Sequence, residues 1–191
     1  MREIALHLLD IAENSAAAES KNIGVHVHED LFHDRLTASV VDDGRGMDQE
    51  TAERVQDPFY TTRTTRSVGL GIPLLKLAAE TADGSFSLQS EVGRGTWVEA
   101  EFRHSHVDRM PLGDLSSTFL TLLISHPQID WTFLYRLTDK NKHSRDFLLE
   151  SSELRRELGD ISLTEPEVLT FLRTIFEEGI EEVALQTVPE S

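Results

Sequence analysis

Two pairs of alternating segments constrain the fold of this chain most strongly. Segments 23–27 and 36–40 alternate apolar and polar residues and are separated by a polar loop. Segments 86–90 and 96–102 form a second pair, joined through a Gly-Arg-Gly turn. A period of two residues places the apolar side chains on one face of a strand. Each pair therefore predicts a half-buried antiparallel hairpin, and the two hairpins need a layer that covers their apolar face.

Helical periodicity before and between the hairpins predicts that layer. Apolar residues recur at helical spacing from Arg2 to Ala18, and segments 49–55 and 70–82 also favour helices. A helix with a single apolar side must pack on something. The order helix, two strands, helix, loop, helix, two strands predicts an α/β (α+β) two-layer sandwich, with helices on one face of a mixed sheet.

The pattern changes after residue 106, and we predict two domains, 1–106 and 107–191. Met110–Gly113 is typical of a linker, and the second domain is expected to be small, with helices and a hairpin and no chemical motif. We therefore expect partner recognition or dimer formation from it. Its predicted elements are a helix at 114–125, strands at 131–137 and 145–149, and helices at 152–158 and 165–182.

Composition excludes several classes of function. The 191 residues carry a net charge of -16, which argues against binding to nucleic acid or anionic lipid because phosphates are repelled. No apolar run approaches a membrane span, and the N-terminus is unlike a signal peptide, so we expect a cytoplasmic protein. The absence of cysteine removes thiolate chemistry. His26, His28 and His33 lack clear further ligands, and surface histidines are favoured over a metal site.

The segment Val41–Met47 places a carboxylate where a strand ends. Strand parity turns Asp42 toward the apolar face, where it needs a hydrogen-bond donor. The exocyclic amine of adenine is one candidate donor, and Gly44 and Gly46 would let the backbone approach a flat base. An ordinary Asp-Gly turn is the alternative.

Asp10 and Asn14 share one side of the first predicted helix because they are four residues apart. An amide oxygen such as that of Asn14 can bind Mg²⁺ together with phosphate oxygens, and Asp10 could act as a base. Polar residues on a solvated helix face are the alternative interpretation.

Two further segments have the chemistry of a nucleotide site. Gly69-Leu70-Gly71 precedes a helix, where backbone N–H groups and the positive helix end favour phosphate, although the spacing is not that of a Walker A loop. Arg63 and Arg66 in the preceding loop could close over a polyphosphate. Thr96 shares strand parity with Val98 and points to the side of Asp42.

Taken in order, these segments resemble the ATP-binding domain shared by DNA gyrases, heat-shock chaperones of the ninety-kilodalton class, histidine kinases and mismatch-repair ATPases (the GHKL superfamily). The segments that carry the resemblance are Asp10–Ser15 (the N box), Asp42–Met47 (the first glycine box), Asp57–Arg63 (the lid), Ser67–Pro73 (the second glycine box) and Gly93–Thr96 (the closing box).

The resemblance implies a Bergerat-type ATP-binding fold with ATP and Mg²⁺ as ligands. It implies that Asn14 binds the metal, that Asp42 accepts from the adenine amine, that Thr96 helps to hold the base, and that a lid over 58–68 covers the phosphates. The nucleotide-binding residues that it implies are Asn14, Asp42, Gly44, Gly46, Met47, Arg63, Gly69, Leu70, Gly71 and Thr96.

Two departures from histidine kinases bear on function. Asp10 stands where other members carry a glutamate base or an asparagine, so its catalytic role stays open. The sequence starts directly at the N box, without the paired-helix module that presents a phosphoacceptor histidine. We therefore predict a stand-alone signalling protein, either a trans-acting protein kinase or a regulatory ATPase with an unidentified protein partner, and leave open whether it is a monomer or a homodimer. A nucleotide-gated binding module without turnover is the alternative.

Overall fold

The computed structural model describes residues 3–57, 71–159, 161–163 and 165–185. These residues form alternating groups of helices and strands in the predicted order. The elements are α1 (Ile4–Ala17), β1 (Asn22–Asp30), β2 (Arg35–Asp42), α2 (Gln49–Arg54), α3 (Gly71–Thr81), β3 (Ser85–Glu91), β4 (Gly95–Arg103), α4 (Leu115–Ser125), β5 (Asp130–Thr138), β6 (Ser144–Glu150), α5 (Ser151–Leu158) and α6 (Pro166–Leu185).

The strands form one six-stranded mixed sheet in the order β3-β4-β2-β1-β5-β6. Neighbouring strands are antiparallel except β1 and β5, which run parallel. The two predicted hairpins are therefore present, and they meet through the pairing of β2 with β4. The predicted fold class, an α+β arrangement of helices on a mixed sheet, is confirmed.

One face of this sheet is buried under the helices. Leu36, Ala38 and Val40 of β2 face Phe102, Ala100 and Val98 of β4 in register, and all six side chains are buried. The alternating pattern of the sequence thus selects the covered face, as a period of two requires. α1 packs beside α3 and α4, and α4 packs beside α6, so the helices form the second layer.

The segment after residue 106 continues the sheet of the first segment. β5 pairs with β1 along the whole of both strands, from Asn22 opposite Asp130 to Asp30 opposite Thr138. Aromatic side chains connect β5 to the helical layer, because Phe133 stacks on Phe119 of α4 with ring centroids 4.7 Å apart. The boundary at residue 106 stays a prediction about domains, but the two segments share one sheet and one hydrophobic core.

Met110–Gly113, predicted as a linker, supplies hydrogen-bond acceptors to the first turn of α1. The N–H of Ile4 donates to the carbonyl of Pro111 over 3.0 Å, and that of Ala5 donates to Leu112 over 2.8 Å. The first turn of a helix has no internal acceptor for its N–H groups, so these bonds satisfy donors that would otherwise lack partners. The linker therefore holds the start of α1 in place.

The predicted loop at 58–68, with Arg63 and Arg66, lies outside the described residues, as do Gly69 and Leu70. Within the described part of the chain, no helix is both long and apolar enough to cross a membrane.

The shared sheet predicts that both segments unfold together. Trp97 on β4 and Trp131 on β5 are the two tryptophans of the chain, one in each segment. Trp97→Phe leaves only Trp131 as the fluorescent reporter, and Trp131→Phe leaves only Trp97. For each variant, we expect the unfolding curve measured by fluorescence in denaturant to coincide with the curve measured by circular dichroism. Each variant serves as its own stability reference. Fluorescence midpoints that differ from the circular dichroism midpoints would instead indicate two separately unfolding domains.

Candidate functional site

The carboxylate of Asp42 is buried at the end of β2 and is held by three donors. Ser15 of α1 donates its hydroxyl to Oδ2 over 2.6 Å. The backbone N–H of Gly44 donates to Oδ1 over 2.9 Å. The single proton of the Ser20 hydroxyl is shared between the same oxygen, at 3.2 Å, and the carbonyl oxygen of Ser15, at 2.7 Å. Asp42 is 9% exposed, so these bonds offset the cost of removing a charge from water.

The donors leave room for one more hydrogen bond on Asp42. A carboxylate has about four acceptor positions, and the described residues occupy at most three of them, two on Oδ1 and one on Oδ2, because Ser15 also competes for the Ser20 proton. The carboxylate is thus stabilised without a ligand, and its Oδ2 can still accept from one N–H group. This is the number of hydrogen bonds that a single exocyclic amine donates to one oxygen.

The turn after β2 is packed against the β3–β4 turn through two glycines. A Cβ on Gly46 would lie 2.0 Å from the carbonyl oxygen of Glu91, and one on Gly95 would lie 1.9 Å from that of Asp42. Both have positive φ, +62° and +101°, a region that side chains disfavour. Gly93 also donates its N–H to the carbonyl of Arg45 over 2.8 Å. The two predicted glycine segments are therefore one packed unit.

Thr96 lies directly opposite Asp42 in the register of β4 and β2. Its hydroxyl is 2.9 Å from that of Ser90, which donates to the carbonyl of Gly95 over 3.0 Å and accepts from the N–H of Met47 over 2.8 Å. Either hydroxyl can be the donor in the bond between Ser90 and Thr96, because the one Ser90 proton can point to Thr96 or to the carbonyl of Gly95. Ser90 thus orients Thr96 and positions Met47.

On α1, Asp10 packs against the first residue of α3. A Cβ on Gly71 would lie 2.0 Å from Oδ2 of Asp10, so a larger residue at this position would displace the carboxylate. Oδ2 is enclosed and has no hydrogen-bond partner among the described residues. Asn14, one helical turn further along α1, is half-buried. Its neighbour Ser15 binds Asp42, so one helix reaches both the carboxylate of β2 and the start of α3.

α3 begins at Gly71 and carries Pro73 in its first turn. Proline fits this position because its missing N–H would have no helical acceptor there. The N–H groups of a first helical turn have no acceptor within the helix, and together with the positive end of the helix dipole they make such a turn suitable for an anion. The buried imidazole of His7 reaches the same turn, with Nδ1 at 3.3 Å from the carbonyl oxygen of Gly71.

The structure brings the described members of the predicted site together in two groups. Asp10 lies against Gly71, while Asp42 and Thr96 are paired in register, with Gly44, Gly46 and Met47 in the packed turns beside them. Asn14 lies on α1 between the residues that contact each group. Sequence reasoning gave no role to His7, Ser15, Ser20 or Ser90.

A preformed metal cluster is not part of this arrangement. No group of three or more His, Cys, Asp or Glu side chains in the described ranges could hold a metal ion. Mg²⁺ commonly binds through one or two protein oxygens together with substrate phosphates and waters, so a single amide ligand such as Asn14 fits that chemistry.

Comparison with known proteins gives the family context of this site. The model of the histidine kinase-, DNA gyrase B-, and HSP90-like ATPase family matches residues 1–106. Sensor protein kinase FleS of Pseudomonas aeruginosa is 39% identical over 89 residues, covering 47% of this chain and 22% of that protein. Sporulation kinase C of Bacillus subtilis is 31% identical over 88 residues, which cover 46% of this chain and 20% of that protein. The chain thus spans about a fifth of the length of these two relatives.

Among solved structures, the ATPase domain of Aquifex aeolicus MutL in complex with ADP is similar to this chain. The two share 14% sequence identity, with a TM-score of 0.47 over 83% of this chain and 68% of the other.

The packed glycine turns predict that Gly93→Ala and Gly95→Ala lower the free energy of unfolding by different amounts. Gly95→Ala would drive its Cβ into the backbone of β2, and we expect it to lower the free energy of unfolding by about 3 kcal/mol. Gly93→Ala is the matched control, because Gly93 also has positive φ, +79°, but no atom within 4 Å of the added Cβ. Its expected cost is about 1 kcal/mol. If urea denaturation shows that both variants lower the free energy of unfolding by the same amount, the close approach of Gly95 to the backbone of β2 would be contradicted.

Proposed function

Because the chain belongs to the histidine kinase-, DNA gyrase B-, and HSP90-like ATPase family, we propose that it is a Mg-ATP-dependent protein kinase or regulatory ATPase that acts on a partner protein. The observation that carries this proposal is the contact of Asp10 with Gly71, where a carboxylate stands beside a helix end suited to phosphate. This is the place where a base is needed in phosphoryl transfer.

In this proposal the adenine lies at Asp42 and Thr96. The remaining acceptor position on Asp42 would receive the exocyclic amine, and the Thr96 hydroxyl would hold the base, directly or through water. Gly44 and Gly46 would act by letting the turn after β2 pack closely against Ser20 and against the carbonyl oxygen of Glu91, which sets the backbone path beside the base.

The phosphates lie beside Asp10 and Asn14 of α1 in this proposal, next to the start of α3. The backbone N–H groups at the start of α3 would bind phosphate oxygens, and Asn14 would contribute its amide oxygen to Mg²⁺. Gly69, Leu70 and Arg63 are assigned to the same end by the resemblance alone. Bound Mg-ATP supplies the transferable phosphoryl group.

Asp10 is the proposed general base. It would orient and deprotonate the attacking group, either a side chain of a partner protein or a water molecule. Aspartate keeps the carboxylate of the glutamate found in other members but is one methylene shorter, and its contact with Gly71 places it near the start of α3 despite that shorter reach.

A nucleotide-gated binding module without turnover is the second candidate. The observation that favours it is the enclosure of Asp10 Oδ2, since an enclosed oxygen must be uncovered before a water or hydroxyl can reach it. ATP would then order the site and present a surface to a partner. In either case the net charge of -16 disfavours a nucleic acid as that partner, and the segment after residue 106 is the proposed recognition or dimer surface.

Asp10→Asn separates turnover from binding. If Asp10 is the base, we expect phosphate release or partner labelling to fall by about 100-fold or more while the Kd for Mg-ATP changes less than about threefold. Glu13→Gln, on the same helix, is the charge-matched control and should keep turnover. A wild-type protein that binds ATP without hydrolysing it or labelling any protein would instead support the binding module.

Asp42→Asn tests the adenine assignment. We expect the Kd for Mg-ATP to rise about tenfold or more and the preference for adenine over guanine nucleotides to narrow, because an amide is a weaker acceptor than a carboxylate. Asp43→Asn is the control, since Asp43 is exposed and its carboxylate accepts from the backbone N–H groups of Lys21 and Asn22. Titration calorimetry that shows the same affinity for Asp42→Asn and wild type would refute the assignment.

A further inference from the structure

His7 is a buried polar side chain that the proposed roles leave unused. It lies on α1, one turn before Asp10, and is 1% exposed. Burial lowers the pKa of His7 below its ordinary value, so the ring is neutral near pH 7. Its contact with the start of α3 is the 3.3 Å approach of Nδ1 to the carbonyl oxygen of Gly71.

That contact determines which ring nitrogen carries the proton. With the proton on Nδ1, the ring donates to the Gly71 carbonyl, and only the bare Nε2 lacks a partner among the described residues. With the proton on Nε2, two acceptors would face each other at 3.3 Å and an enclosed donor would be unpaired. The Nδ1–H tautomer therefore has the lower free energy.

Two side chains of α1 thus hold the same residue of α3 from different directions. His7 donates to the carbonyl oxygen of Gly71, and Asp10 lies against its α-carbon. We infer that His7 is a positioning residue, which holds the first turn of α3 so that its N–H groups and the Asp10 carboxylate face the nucleotide phosphates. This inference rests on the proposed function, since it assigns the phosphates to this turn.

A purely space-filling role does not account for the same observations. A leucine would fill the position without an enclosed ring nitrogen that lacks a partner, and an unpaired buried polar atom is destabilising. The imidazole is therefore useful at this position only if its N–H group is used. In this geometry the N–H group of His7 can donate to the carbonyl oxygen of Gly71.

The experiment compares His7→Asn, His7→Gln and His7→Leu in the full chain. An asparagine amide places an N–H group near the position of Nδ1, whereas a glutamine amide reaches toward the position of Nε2. The readout is the ratio of the Kd for AMP to the Kd for Mg-ATP, measured by competition with a fluorescent adenine nucleotide. This ratio isolates the contribution of the outer phosphates, which a change in adenine binding or overall stability does not alter.

We expect His7→Leu and His7→Gln to reduce this ratio about fivefold, with the Kd for AMP unchanged within about twofold, and His7→Asn to keep the wild-type ratio. Equal ratios for His7→Asn and His7→Gln would overturn the inference, and this pair decides the matter if His7→Leu fails to fold. Nitrogen-15 NMR of the wild-type histidines adds a test that needs no nucleotide, because an Nε2–H tautomer at His7 would also overturn it. A wild-type protein that binds no ATP would refute the proposed function instead.

Discussion

The buried charge of Asp42 is the constraint on which the arrangement of this site depends. A carboxylate at the covered end of β2 must be given donors, and these come from three different places in the chain: the hydroxyl of Ser15 on α1, the hydroxyl of Ser20 before β1, and the N–H of Gly44 in the turn after β2. Satisfying the charge therefore fixes the end of α1 against the end of β2. The charge is a structural element even before any ligand is considered.

α1 carries this constraint to the rest of the molecule. Ser15 connects it to the proposed adenine end, while His7 and Asp10 connect it to the start of α3 at the proposed phosphate end. Glu13 faces the other way and pairs with His126 at the end of α4, with Oε2 and Nε2 2.9 Å apart. A single helix thus contacts both ends of the proposed nucleotide site and the segment after residue 106.

The elements of the fold could be predicted from the sequence because their signals are local. Alternation located the strands, and helical spacing located α1, α3 and α4, with ends within a few residues of those observed. The parity argument for Asp42 and Thr96 also succeeded, because the two residues pair directly across β2 and β4. The neighbours of β5 could not be predicted in this way. Periodicity states which face of a strand is buried, but the parallel pairing of β5 with β1 depends on long-range packing.

The sequence by itself determined the residue types of the candidate site, the order of its segments and the face on which Asp42 and Thr96 lie, since these follow from chemistry and from fixed backbone periods. Only the tertiary structure decided which groups complete the site. Ser15, Ser20, Ser90 and His7 have no local signature, because a hydroxyl or an imidazole on a helix or strand becomes a partner only when a distant segment brings an acceptor or a donor within about 3 Å of it. Burial then makes that partnership obligatory, because water is no longer available to replace it.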